Sequence, residues 1–194
     1  MRRLTIALVG LFLALPGTVS AQDALSDLRA SAVGRPLAAA LEACGVQVVR
    51  HAMPKGIGGL WLEARHTIIL AQNLDVLESR LILAHEATHA SRSCAGLTPQ
   101  PPSEPEARPA WIESMLDEEA QALLAEAETA AELTADNADE ARATAARRPL
   151  VGPLLSMLEH GASRQTVWAA ARHAVGEANY RQYYEAMFTL SAAR

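Results

Sequence analysis

The spacing of apolar positions divides the chain into mostly helical segments with one short β-type island. Across residues 24–43, Leu25, Leu28, Ala32, Leu37 and Leu41 recur at helical intervals, and Pro36 is expected to split the segment into two helices. Residues 46–49 form a short β-type run after Gly45, and the Pro- and Gly-rich stretch 54–59 reads as a turn. Residues 60–62 and 67–70 then read as two strands of a hairpin joined around Ala64, Arg65 and His66. Asn73 or Asp75 is placed to cap the next helix, and Glu78, three residues after Asp75, completes a capping-box pattern. That helix is expected to run to about residue 92, with Leu74, Leu77, Leu81, Ala84 and Thr88 as its apolar stripe. Five prolines between 96 and 109 predict an extended loop, followed by a long helix over 110–133 and a turn at 136–139. The remainder reads as helix, interrupted near Pro149–Pro153 and again near Gly161. The expected fold class is α+β, mainly helical, with a small hairpin or sheet beside the 75–92 helix.

The first residues change this picture. Arg2 and Arg3 precede an apolar run from Leu4 to Leu15, and Val19, Ser20 and Ala21 are small residues at cleavage positions. Residues 1–21 therefore read as a signal peptide, leaving residues 22–194 as one domain that carries the Pro-rich loop at 96–109. An exported chain of this kind is expected in the periplasm or outside the cell, with no stable membrane insertion after cleavage. Its two cysteines, Cys44 and Cys94, are an even pair that invites a disulfide. The formal net charge is −5 for the whole chain, and loss of Arg2 and Arg3 makes it about −7. Acidity with scattered basic residues argues against a nucleic-acid partner.

The chemistry concentrates at His85-Glu86-Ala87-Thr88-His89. Residues four apart on a helix lie one above the other, so His85 and His89 can offer two imidazole nitrogens to one ion. Glu86 follows the first of them and can reach a water on that ion without being a ligand. Zn²⁺ brings the pKa of such a water to about 7, where a carboxylate can take its proton during attack on a carbonyl. Glu86 is thus the expected general base and Zn²⁺ the expected cofactor.

The segment Ala84-His85-Glu86-Ala87-Thr88-His89-Ala90 resembles the active-site helix of the zincin metallopeptidases, and a bacterial family of uncharacterised putative metallopeptidases with the same core. The resemblance covers residues 61–90 and a second segment near Glu119. It implies hydrolysis of a peptide or protein substrate, held in extended form along a sheet edge that residues 60–70 would supply. Metzincins continue the motif with Gly and then His; Arg92 and Ala95 stand at those positions, so that branch fails. Gluzincins take a Glu from a later helix, and Glu113, Glu118, Glu119 and Glu126 are the candidates, with Asp117 an outsider. Ile112, Met115, Leu116, Ala122 and Leu123 surround Glu119 at helical spacing, so its carboxylate falls on an apolar stripe, where burial demands a partner or a metal. Glu119 is the favoured third ligand and Glu118 the alternative. Gln121 stands where related sequences carry an Asp, which leaves open which carboxylate supports the ligands.

Other residues carry less. His51 and His66 flank the hairpin and read mainly as surface residues. His160 and His173 have no partner at ligand spacing. Tyr180, Tyr183 and Tyr184 form a cluster for which packing is the expected role, with oxyanion stabilisation, as the zincin resemblance implies, the lesser alternative; Trp168 and Phe188 are expected in the core. Two further function classes stay open: a periplasmic zinc-binding protein without peptidase activity, and a helical interaction protein without metal.

Overall fold

The computed structural model describes residues 21–191. The expected signal peptide lies outside the described residues, apart from Ala21. Helices α1 (Ala21–Arg29) and α2 (Gly34–Ala43) lead into strand β1 (Gln47–His51). Strands β2 (Gly59–Leu62) and β3 (Thr67–Ala71) follow, then helices α3 (Val76–Cys94), α4 (Arg108–Ala146), α5 (Val151–Glu159), α6 (Arg164–Glu177) and α7 (Tyr180–Ser191). The fold is α+β and mainly helical. No described helix is long and apolar enough to cross a membrane.

The break between α1 and α2 falls at residues 30–33, not at Pro36. Pro36 sits in the first turn of α2, where a missing N–H costs no intrahelical bond. The break is fixed from a distance, because the Glu132 carboxylate accepts the backbone N–H groups of Ala32 and Val33 at 2.9 and 3.0 Å. Gly34 is required there: a Cβ would lie 2.1 Å from the carbonyl oxygen of Leu28.

The hairpin forms as expected, with Leu60 opposite Ile69 and Trp61 opposite Ile68 in antiparallel register. It turns through a short 3₁₀ segment, Glu63–Arg65, and His66 in the left-handed region at φ 46°. β1 joins the other side of β3 in parallel, giving the order β1-β3-β2 and leaving β2 at an edge. The capping box also forms. Asp75 Oδ1 accepts the Glu78 N–H at 2.8 Å, Glu78 Oε2 accepts the Asp75 N–H at 3.4 Å, and Arg147 reaches both carboxylates.

α3 lies between two apolar clusters. On one side Ile82, Leu83, Ala84 and Ala87 pack with Leu28, Leu41, Val48, Ile68 and Leu70. On the other, Leu81 joins Leu116, Leu123 and Leu124 of α4 and Val151, Val167 and Val175 of the later helices. Each fully buried aliphatic side chain contributes about 1.5–3 kcal/mol. α3 is therefore buried nearly all round over residues 81–88 rather than along one stripe.

Two further expectations are corrected. α4 starts at Arg108, inside the predicted loop, because proline is tolerated in a first turn. It also continues through 136–139. There Asn137 alone leaves helical geometry (φ −149°, ψ 84°), and its amide donates to Glu140 Oε2 at 2.7 Å, so a kink replaces the turn. Cys44 and Cys94 form a disulfide between the C-terminal ends of α2 and α3. Phe188 is in the core, whereas Trp168 is only half-buried against it.

Candidate metal centre

The middle of α3 faces the middle of α4, and there the sequence-predicted residues meet. His85, His89 and Glu119 each present a ligand-type atom, all within 4.8 Å of one another, so the group could hold a metal ion. The Nε2 atoms of the two histidines are 3.3 Å apart. Glu119 Oε2 is 3.5 Å from His85 Nε2, and Oε1 is 3.7 Å from His89 Nε2.

Behind each histidine stands another carboxylate of α4. His89 Nδ1 donates to Glu118 Oε1 at 2.9 Å. His85 Nδ1 lies 3.3 Å from Glu126 Oε2, an ion-pair distance without hydrogen-bond alignment, so this buried nitrogen has no hydrogen-bond partner. Both carboxylates are held by arginines. Arg92 Nε donates to Glu118 Oε2 at 3.1 Å. Arg148 grips Glu126 through Nε, and through Nη2 at 3.0 Å. Gln121 Oε1 accepts from Arg92 Nη1 at 2.9 Å, so Gln121 steadies the arginine while Glu118 supplies the carboxylate.

The α4 acids thus separate by position. Glu118 backs His89 instead of joining the cluster, Glu119 enters it, and Glu126, one heptad on, lies beneath His85. Glu113 and Asp117 pair with Arg172 away from the site. Arg181, with Arg172, holds the Glu113 carboxyl below the usual range against the opposing effect of burial. His66 Nδ1 donates to the Cys44 carbonyl at 3.1 Å, His160 Nδ1 donates to Ser156 at 2.7 Å, and His51 Nδ1 donates to the Ala52 carbonyl at 3.1 Å.

Tyr184 takes a part beyond the packing expected of it. Its ring stands edge-on to Trp111, with centroids 5.9 Å apart, and its hydroxyl donates to Glu119 Oε1. Burial, the Glu119 charge and this bond push the Tyr184 hydroxyl far above its ordinary pKa, so it remains a donor. Nothing in sequence spacing links residue 184 to residue 119. The i, i+7 relation of Glu119 and Glu126 was the available signal for Glu126.

The carboxylates favour positive charge at the cluster. Burial opposes charge on His89, yet the Glu119 charge beside it and the hydrogen bond to Glu118 raise its pKa to about 10. Burial works against ionisation of Glu118 and Glu119, but His89 outweighs it and holds both carboxyls low, helped by Arg92 at Glu118 and His85 at Glu119. Glu119 Oε2 is buried and accepts no hydrogen bond. An orphaned acceptor of this kind costs about 1–3 kcal/mol, and a cation between it and the two Nε2 atoms would remove that cost. Two imidazoles and one carboxylate therefore fit a metal ion on the chemistry of the donors and on this unsatisfied oxygen.

Glu86 is buried on the next position of α3 and touches the sheet edge. A Cβ on Gly59 would lie 2.7 Å from Glu86 Cγ and 2.9 Å from Oε1. The glycine lets β2 approach the glutamate, so the unpaired edge of the sheet passes beside the residue next to the cluster. Comparison with known proteins finds no matching family model, no matching curated protein and no matching solved structure.

Proposed function

We propose that the protein is a zinc-dependent peptidase, with His85, His89 and Glu119 holding Zn²⁺ and Glu86 as general base. The observation that carries this reading is the convergence of two histidine Nε2 atoms on a buried carboxylate whose Oε2 accepts no hydrogen bond. Two histidines and a glutamate are a ligand set of catalytic zinc sites, which keep a further position open. When bound, zinc acidifies a water and polarises the carbonyl of the scissile bond.

The residues of the chain do the rest. Glu86 is fixed against Gly59 and accepts the proton released as water oxygen bonds to the carbonyl carbon. It then delivers that proton to the departing amine nitrogen as the C–N bond breaks. The edge of β2 that no described strand pairs would offer backbone donors and acceptors to an extended peptide running past Glu86. Glu118 holds His89 through its Nδ1 and so aims that Nε2 at the centre, while the Glu126 carboxylate lies 3.3 Å behind the Nδ1 of His85.

The test is Glu86→Gln assayed on an unfolded protein substrate alongside metal analysis. The variant should retain zinc at the wild-type ratio and lose hydrolysis by at least about 100-fold. Undiminished hydrolysis overturns the general-base assignment. Wild-type protein that holds zinc and cleaves nothing overturns the peptidase reading and leaves a metal-binding role.

A further inference from the structure

Both oxygens of Glu119 face the two histidines, at 3.5 and 3.7 Å, yet they are not equivalent. Oε1 accepts the Tyr184 hydroxyl, whereas Oε2 accepts nothing although it is buried. Tyr184 is itself only 5% exposed, and its ring is held edge-on by Trp111, which packs in turn against Phe188. The donor is therefore fixed in place by the core under α7. A carboxylate with both oxygens free can bind an ion through two atoms; a hydrogen bond to one oxygen uses a lone pair and weakens it as a donor, which favours binding through the other.

We infer that Tyr184, by occupying Oε1 of Glu119, leaves Oε2 as the single oxygen presented to the metal ion, so that a residue of the last helix sets the coordination number of the site. This rests on the metal site proposed above. Tyr184 is a positioning residue here: it touches a ligand and need not touch substrate. Its effect is to keep a coordination position free that a second carboxylate oxygen would otherwise fill.

The experiment uses the full chain, freed of metal by chelation and titrated with Co²⁺, whose visible bands are strong in four-coordinate sites and weaker in five-coordinate ones. Wild type should give the strong spectrum. Tyr184→Phe keeps the ring against Trp111 but removes the hydroxyl, and its bands should weaken by at least about two-fold at saturating cobalt. Trp111→Phe disturbs the same packing and spares the hydroxyl, so it should keep wild-type intensity. An unchanged spectrum in Tyr184→Phe, or an equal loss in Trp111→Phe, overturns the inference while leaving the metal site standing. X-ray absorption at the cobalt edge of the unaltered protein gives an independent reading: about four near neighbours are expected, and a higher number overturns the inference without any variant. Wild-type protein that binds no cobalt overturns the metal site and this inference with it.

Discussion

Glu126, with no exposed surface, lies 3.3 Å from His85 Nδ1 through Oε2 and has both its oxygens held by Arg148, which tethers the α4–α5 junction to the floor of the site. The arginine is the main compensation for a carboxylate that has no access to water. Replacing one partner of a buried ion pair leaves an uncompensated charge, at a cost of about 3–5 kcal/mol. Arg148→Met should lower the unfolding free energy of the metal-free protein by about that amount in urea titrations. The double variant Glu126→Gln, Arg148→Met should recover more than half of the loss, because both charges are gone. A single variant within about 0.5 kcal/mol of wild type would show that the pair does not hold the floor.

The metal-free protein should be most stable in a window on the acid side of neutrality. Its His89 carries a pKa raised from 6.5 to about 10, so the folded form holds that proton more tightly than the unfolded form. The stabilisation is complete below pH 6.5 and is lost as pH rises toward the folded value. Glu118 and Glu119 are depressed, so their contribution is complete above the ordinary 4.5 and is lost as pH falls below it. Urea midpoints with chelator present should therefore plateau at roughly pH 5–6 and decline in both directions. With zinc bound the proton on His89 is displaced, so the alkaline decline should disappear and acid should release the metal. A chelated midpoint that climbs between pH 7 and pH 9 would contradict the charge assignment.

Gly58 and Gly59 separate packing from chemistry. A Cβ at Gly59 would meet Ile82 at 2.6 Å and Glu86 at 2.7 and 2.9 Å; the three atoms nearest a Cβ at Gly58 all belong to Ile82, the closest at 2.3 Å. Both alanine variants should lose about 1–3 kcal/mol of stability through overpacking. Gly59→Ala alone should also displace Glu86 and lower kcat about 10- to 100-fold with zinc content unchanged. Equal activity in the two variants would detach Glu86 from the strand.

Much of this was legible in the chain because it is local. The capping box at Asp75 and Glu78, the hairpin around His66 and the two histidines one turn apart all follow from residues within one or two turns of each other. Glu119 was legible from its apolar neighbours on α4. The sequence did not reveal what depends on docking. The parallel pairing of β1 with β3 needs a crossover that no periodicity encodes, and the α1–α2 break is set by Glu132, about 100 residues away. The 136–139 segment looked like a turn because Asp136, Asn137 and Asp139 are turn formers, yet buried Ala141, Thr144 and Ala145 keep the helix going past Asn137. Tyr184 reads mainly as a packing residue because aromatic side chains in a helix usually are, and its hydroxyl finds Glu119 only once α7 folds back over α4.

The disulfide and the capping box lie at opposite ends of α3. The Asp75–Glu78 box, bridged by Arg147, secures the first turn, and Cys94 secures the last. A helix pinned at both ends and buried between two cores cannot fray from its termini, so its central amides should exchange with solvent only when the whole domain opens. α7 carries no disulfide and exposes Tyr183 and Met187. The helix that contributes the histidines is therefore held at both ends. Breathing motions that admit or discharge a ligand should begin at the exposed face of α7, at Tyr183 and Met187, and not at α3.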